Sequence, residues 1–482
     1  MIHKKVAIHL IGLEETGLNA MIDFAKMIGV GVERRQTSIP LGAKMKENTI
    51  YVSEYISTNT KAAKQLFVYC DLWDFIIYSE KNNGKTREEA KQEWIDFVKR
   101  GLTTPNAEWI SSYAFMQQPL TFFSYLNNHA SFSVNLNLIK ERYSDFYNEA
   151  YFHTGHTIEL IRWCKADEEC SFLIKKLHQI AVLPHDIILE STYSRNVDVI
   201  IPCYNLGHLL EDTLASLERS FNDNINVCII DDGSTQPETI DGLKKAESFG
   251  YKVIRQSNTG LCKALNNAIE KCNSEYLLVL SADDKVDPKF ITQSLKILEQ
   301  QQEVGVVYCN PKTFEAWYSM WLTPDFDAAQ FLSLNFIVAT SVYRRKYWEQ
   351  AGGYDPNTDG NEDWEMWMNC LEHGAKFHHI DEYLFQYRYR AGSKIQTVYK
   401  PDGRKKLVSY MSNKHHSLYA QYLPQIIGNL HYAIATSEKQ YIEGKSIDQI
   451  EVETGARKLG LLGTLMYRTL RKIGHISRKR EE

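Results

Sequence analysis

The sequence predicts an α/β protein, and two observations carry that expectation. From Asn196 onward, short apolar runs alternate with segments that place apolar residues at i, i+3 and i+4, and every apolar run ends in a polar cluster. The alternation is that of a parallel sheet covered by crossover helices, because a strand buried on both faces is apolar throughout, whereas a helix lying on it is apolar along one stripe. The polar clusters say where chemistry belongs. Ligands of open parallel sheets sit outside the carboxyl ends of the strands, where loops converge on helix N-termini.

Taken in chain order, the first region, residues 1–193, reads as a mixed domain with a helical second half. It opens with a strand-like run from Val6 to Leu13, a helix-like run from Thr16 to Ile28 and a second strand-like run from Thr49 to Ile56. Helical spacing then recurs over Thr86 to Lys99 and Ile158 to Leu177. Gly12 to Gly17 has the glycine spacing of a phosphate loop but lacks the Lys and Ser or Thr that should follow, so a strand-to-helix turn is expected. His153 and His156 have no third ligand in view and read as a surface turn. No role is assigned to this domain.

Residues 194–395 form the second region. Strands are expected at Val197 to Pro202, Val227 to Ile230, Tyr251 to Ile254 and Tyr276 to Leu280, with crossover helices over Leu209 to Arg219 and Leu261 to Cys272. The unit is wound like a nucleotide-binding fold. Its strands run into Cys203-Tyr204-Asn205, Asp231-Asp232-Gly233-Ser234, Asn258-Thr259-Gly260 and Ser281-Ala282-Asp283-Asp284. Each cluster alone reads equally well as a turn and helix cap, since Asp and Ser accept backbone N–H bonds and Gly takes positive φ. Four in register are hard to explain by capping alone. Residues 396–482 are helical in character and end in a basic stretch, Gly455 to Glu482, with eight Lys or Arg against two Glu. Leu459, Leu462, Met466, Leu470 and Ile473 fall near helical spacing there, which suits a helix on an anionic membrane surface and equally one packed on its own domain.

Composition bounds the function. With 44% hydrophobic and 24% charged residues the chain is globular, and a net charge of -5 argues against binding nucleic acid through overall charge. Nine scattered cysteines without a Cys-x-x-Cys pair read as reduced thiols. No segment reaches roughly 18 apolar residues and Glu14 and Glu15 interrupt the first apolar run, so neither a signal peptide nor a membrane span is expected. A cytoplasmic location follows, with any membrane contact made peripherally on the inner face.

The motifs in combination resemble the family 2 glycosyltransferases. Ile200-Ile201-Pro202-Cys203-Tyr204-Asn205, Asp231 to Ser234, Asn258-x-Gly260 with Ala264 and Asn266, and Ala282-Asp283-Asp284 with Pro288 match that family's nucleotide-sugar half. Asn335-Phe336-Ile337, Arg344-Arg345, Gly352-Gly353-Tyr354-Asp355, Glu362-Asp363-Trp364 and Tyr387-Arg388 follow in the order of its acceptor half. The resemblance spans about residues 196–393. It implies a GT-A, Rossmann-like nucleotide-diphospho-sugar transferase domain, flanked here by the N-terminal α/β domain and the helical C-terminal region.

By the same resemblance, the donor is a nucleotide-diphosphate sugar, UDP-linked by expectation, and the acceptor a glycan or lipid-linked hydroxyl in surface or capsular polysaccharide synthesis. Asp232 would meet the nucleotide's base or ribose edge, with Pro202, Tyr204, Asn258 and Gly260 in the same pocket. Asp283 would sit beside the diphosphate and, with Asp284, hold Mg²⁺ or Mn²⁺, because a departing diphosphate needs positive charge nearby. Two departures bear on that metal: Ser281 replaces the family's first carboxylate, and Arg390 stands where a ligating His is frequent. Arginine pairs with phosphate bidentately, so Arg388 or Arg390 contacting the diphosphate directly is the alternative. Asp363 matches the general base that takes the acceptor's proton in a single inverting displacement, Glu362 is a second acceptor contact or a support, and Trp364 is a wall of the acceptor pocket. The rival function is a glycan- or nucleotide-binding scaffold on a degenerate transferase domain. A nucleotidyltransferase is disfavoured because Tyr204-Asn205-Leu206-Gly207 is no Gly-rich basic phosphate loop.

Overall fold

The structure, a computed structural model, describes residues 7–11, 31–34, 49–53, 63–69, 72–103, 108–111, 157–180, 196–220, 224–315, 319–358, 360–390 and 401–443. Gly12 to Gly17, the helix expected over Thr16 to Ile28, Cys70, His153, His156 and the basic stretch from Gly455 lie outside the described residues. Contacts divide the chain into two units, residues 1–192 with 214–221, and residues 193–213 with 222–482.

The first unit holds a five-stranded, wholly parallel sheet: β1 (Ala7–Ile11), β2 (Gly31–Arg34), β3 (Thr49–Ser53), β4 (Ala63–Tyr69) and β5 (Glu108–Ser111), in the order β2-β3-β1-β4-β5. Three of these, β2, β4 and β5, escaped the sequence reading, for they are short or carry charged and polar residues within the apolar run. Among the described residues, helices α1 (Leu72–Asn83), α2 (Arg87–Leu102), α3 (Ile158–Ala166) and α4 (Glu168–Ile180) also belong to the unit. Thr86 and Glu89 form a capping box that starts α2 where the sequence expects a helix. The single helix expected over Ile158 to Leu177 is two. Asp167 is extended, with φ -78 and ψ 116, and its carboxylate accepts from Cys170 N–H at 3.0 Å, ending α3 and capping α4.

In the second unit, β6 (Val197–Cys203), β7 (Ile225–Asp232), β8 (Lys252–Gln256) and β9 (Tyr276–Val279) are parallel, with the order β8-β7-β6-β9. The first strand is thus central, the next two add on one side and the fourth on the other, which makes a topological switch point beside β6. All four strands and both crossover helices, α5 (Gly207–Glu218) and α7 (Leu261–Glu270), fall within a few residues of the expected positions. Helix α6 (Pro237–Ser248) starts on Pro237, whose missing N–H costs nothing at that position.

Beyond β9 the sheet ceases to be parallel. β13 (Val342–Arg344) runs antiparallel to both β9 and β11 (Val304–Glu315), β11 lies parallel to β14 (Lys376–Tyr389), and β10 (Lys285–Val286) is antiparallel to β14. The short strand β12 (Ser319–Met320) pairs with β11. Helices α8 (Pro288–Gln300), α9 (Ala328–Ser333), α10 (Arg345–Ala351), α11 (Glu362–Glu372), α12 (Pro401–Lys414) and α13 (His416–Glu443) pack around this half. One apolar core runs from Ile230 and Leu277 in the sheet through Phe331, Phe336, Trp364 and Trp367 to Leu418 and Ile426 of α13.

Two close approaches fix how the parallel half is assembled. A Cβ on Gly242 of α6 would lie 2.3 Å from the Gly207 carbonyl oxygen, and one on Gly207 would lie 2.4 Å from Thr239 Cα, so α5 and α6 start in backbone contact. Arg344 and Arg345, matched to the acceptor half in the sequence, are structural pins. Arg344 is buried and donates to Val304 O at 2.8 Å, while Arg345 donates to Ser274 O at 2.6 Å and pairs with Asp198 at 3.1 Å.

Candidate active site

The carboxyl ends of β6, β7 and β8 share one edge by register, with Cys203 opposite Asp231 and Asp232 opposite Gln256. Backbone–side-chain bonds then lace the loops together. Asn205 takes positive φ (56°), and its side-chain oxygen accepts from Thr235 N at 2.9 Å and Gln236 N at 3.2 Å, holding the turn that leads into α6. Its own N–H donates to Ser234 Oγ at 3.0 Å, and Asp231 accepts from Ser234 N at 2.9 Å. Gly233 has φ 76° and a Cβ there would come within 2.6 Å of Asn258 N, so both conformation and space require glycine between Asp232 and Ser234.

Asp232 is buried, and its two carboxylate oxygens accept from Thr259 N and Gly260 N, each at 2.9 Å, with Gln256 Nε2 at 2.7 Å. It therefore shapes the Asn258–Gly260 loop at the start of α7 before it can meet any ligand. Above this floor, Tyr204 is 49% exposed, Asn258 is exposed and Pro202 is half-buried. A tyrosine ring left open at a strand end offers a stacking face. Sequence reasoning placed these residues at one edge; it did not foresee that Asp232 is largely spent on backbone.

The Asp283–Asp284 loop is held from two sides. Thr213 of α5 donates to both Ala282 O (2.9 Å) and Asp284 O (2.7 Å), and the backbone N–H of Arg388 in β14 donates to Asp284 Oδ1 at 2.8 Å. Asp284 is buried, and burial together with the neighbouring Asp283 charge pushes its carboxyl well above the usual range. Arg388 is buried beneath the loop. It donates to Asp283 O at 2.6 Å, pairs with Glu315 at 2.7 Å and Asp212 at 2.8 Å, and stacks 4.5 Å over Phe314. Burial opposes ionisation of Asp212, yet Lys285 and Arg388 hold it below the ordinary carboxylate range. Arg390 pairs through Nε with Asp283 Oδ2 at 2.9 Å, at the rim, with its side chain 32% exposed.

These contacts correct the role expected of Arg388 and bear on the expected metal site. Asp284, expected as a metal ligand, is buried with a carboxylate oxygen on the Arg388 backbone N–H. Asp283 already faces a guanidinium, and among the described residues no three His, Cys, Asp or Glu side chains cluster as a metal site. Mg²⁺ is usually held by one or two carboxylates together with substrate phosphates and waters, and Asp283 would supply such a carboxylate. Arg388 has Asp212, Glu315 and a carbonyl as partners and serves the loop, not a ligand. Asp212 was missed in the sequence because nothing in a helix-interior Asp signals a partner 176 residues away.

Asp363 lies in the first turn of α11, after Asn361. It is half-buried and accepts from Trp364 N at 2.7 Å and Asn335 Nδ2 at 3.3 Å. Burial and the adjacent Glu362 charge push its carboxyl up to about 7, against the lowering effect of those two donors. Glu362 accepts from Gly360 N at 2.7 Å and so closes the turn entering the helix. Trp364 is corrected: it is 2% exposed, donates Nε1–H to Phe331 O at 3.1 Å and belongs to the core, not to a pocket wall. Asn266 of α7, quoted in the motif without a role, accepts from Tyr354 N at 2.8 Å and Trp348 Nε1 at 3.0 Å and donates to Tyr354 O at 2.9 Å. That links the donor-edge helix to the segment leading into α11.

Residues 198–361 match the family described as Glycosyl transferase family 2. Among curated proteins, the glycosyltransferase EpsJ of Bacillus subtilis, itself described as uncharacterized, is 24% identical over 51% of this chain and 72% of its own length. Protein y4gI of Sinorhizobium fredii is 25% identical over 41% of this chain, and the match spans 23% of that protein. A chondroitin synthase of Escherichia coli is 23% identical over 39% of this chain and 28% of its own length. Among solved structures, Staphylococcus aureus TarS 1-349 in complex with UDP-GlcNAc is 17% identical with a TM-score of 0.41, covering 53% of this chain and 77% of that one.

Proposed function

The region 198–361 belongs to the Glycosyl transferase family 2, and on that premise we propose that this chain is an inverting glycosyltransferase on a GT-A fold. It would move a sugar from a nucleoside-diphosphate donor, UDP-linked by expectation, to a hydroxyl of a glycan or lipid-linked acceptor. Polysaccharide synthesis is the setting this favours, since one relative is named a chondroitin synthase. The basic stretch from Gly455 would suit a contact with the membrane surface beside a lipid-linked acceptor. Among the described residues no helix is long and apolar enough to cross a membrane.

The observation that carries the mechanism is Asp363, a half-buried carboxylate with its pKa pushed up to about 7. A general base is most effective when its pKa lies near the working pH, and proton abstraction by such a group is worth roughly 10²- to 10⁴-fold in rate. In this reading the base and ribose lie along Pro202, Tyr204, Asn258 and the Asp232-bound Gly260 loop, and the diphosphate lies beside Asp283. The acceptor hydroxyl attacks the anomeric carbon from the side opposite the departing diphosphate while its proton passes to a carboxylate oxygen of Asp363. Glu362 keeps Asp363 basic by its charge. No covalent enzyme intermediate is needed.

The test is a panel of UDP- and GDP-sugars with release of nucleoside diphosphate as readout. Turnover with at least one donor is expected. Binding of donor or glycan without any turnover would identify a scaffold instead.

A further inference from the structure

Resting on the reading of Asp363 as the base, we propose that the helical turn from His415 to Tyr419, beyond the region matched to the family, positions the contact between Asn335 and Asp363. Asn335 Nδ2 donates to Asp363 Oδ2 at 3.3 Å, just past the usual range of an N–H···O bond, so a small relative movement breaks it. The two residues come from different elements: Asp363 from the first turn of α11, Asn335 from the segment that follows α9. Those elements must be held in register.

The turn grips both. Helix α9 spans six residues, and carbonyls in its last turn are met from outside: Trp364 Nε1–H of α11 donates to Phe331 O at 3.1 Å, and the Tyr419 hydroxyl of α13 donates to Leu332 O, also at 3.1 Å. On the α11 side, Glu365 is fully buried, and its Oε1 meets Lys414 Nζ at 2.7 Å and His415 Nε2 at 3.1 Å. His415 Nδ1 lies 2.7 Å from Glu372 at the other end of that helix, and Lys414 also reaches Asp355, ahead of it, at 2.7 Å. The two grips are one helical turn apart, joined by the Tyr419 N–H bond to His415 O at 3.0 Å. Buried ion pairs stabilise poorly compared with apolar packing, and Glu365 Oε2 has no hydrogen-bond partner among the described residues. What the arrangement supplies is direction: it fixes α11 against α13 while Tyr419 fixes the end of α9. Asp363 itself is faced by the Glu362 charge and the Trp364 N–H of its own helix and by neutral Asn335 from the α9 side. Glu365, which Lys414 and His415 balance, lies about 200° further round α11. Tyr419 is then a positioning residue for the base, anchored through His415 and Lys414.

The experiment measures kcat/KM against pH, with the UDP- or GDP-sugar that the full-length wild type turns over, for wild type, Tyr419→Phe, Asn335→Ala and the double variant. Calorimetric binding of UDP or GDP is the control. Tyr419→Phe removes one hydroxyl and no charge, and it keeps the packed ring. It should bind the nucleotide within about twofold of wild type and move the acidic limb to higher pH by roughly 0.5 unit, the worth of one hydrogen bond to the ionised carboxylate. In the Asn335→Ala background the same change should move the limb no further, because the contact it sets is already gone. A limb that Asn335→Ala moves and Tyr419→Phe does not, or equal shifts from Tyr419→Phe with and without Asn335, would overturn the proposal and leave Asp363 as the base. Loss of nucleotide binding in Tyr419→Phe would make its role one of folding and overturn the proposal too. A limb that neither variant moves would overturn both the proposal and the reading of Asp363 on which it rests.

Discussion

Asp363 is where the chemistry is most exposed to test. Its raised pKa gives the pH dependence of the proposed mechanism a sign: acting as the base, Asp363 must be ionised, so kcat/KM should rise with pH and level off above about 7. Asn335 tunes that value, since its Nδ2–H favours the carboxylate while its Oδ1 accepts from Ile337 N at 3.1 Å. Asn335→Ala should move the acidic limb to higher pH, whereas an effect on folding alone would lower the rate at all pH values without moving the limb. A pH–rate profile of the two proteins decides this. Glu362-Asp363-Trp364 pointed to Asp363 as the proposed base, but its neighbour Trp364 was misread, because an indole one residue along the same helix turn faces the core.

At the scale of elements, the parallel half was legible because its strands are buried on both faces and therefore read as uninterrupted apolar runs. The register of β6, β7 and β8 then places the polar clusters at one edge without further information. The mixed half was not legible in the same way. Its pairings join segments far apart in the chain, and the β11–β14 ladder shifts register around Asn310, which no local pattern announces. Nor could spacing show that Asp232 and Asp284 are committed to backbone N–H groups. The contact between α5 and α6 carries its own prediction. Gly242→Ala would press a methyl against the Gly207 carbonyl and should cost about 1–3 kcal/mol by urea unfolding, as overpacking generally does. An unchanged urea midpoint would show that the two helix starts are free to separate.

At the scale of the whole chain, α12 and α13 are tied to the helix that carries Asp363. Lys414 bridges Asp355 and Glu365, each at 2.7 Å, and buried His415 lies between Glu365 (3.1 Å) and Glu372 (2.7 Å). Burial opposes its charge, yet the two glutamates raise the His415 pKa, so its stabilisation is complete below 6.5 and is lost as pH rises through the folded value. Asp363 acts in the same direction, its contribution falling as pH climbs from 3.8 to about 7. The thermal midpoint should therefore decline from pH 5 to pH 8. His415→Gln should flatten the upper part of that decline and Asp363→Asn the lower part; unaltered slopes in scanning calorimetry would remove these groups from the account.

The most direct test of the central claim compares wild type with Asp363→Asn on whichever nucleotide sugar the wild type turns over, measuring both donor affinity and the rate of nucleoside-diphosphate release. The variant should bind donor within about threefold of wild type and turn over at least a hundredfold more slowly. A near-normal rate in a variant that binds donor would contradict the assignment of Asp363 as the base and, with it, the mechanism proposed for this site.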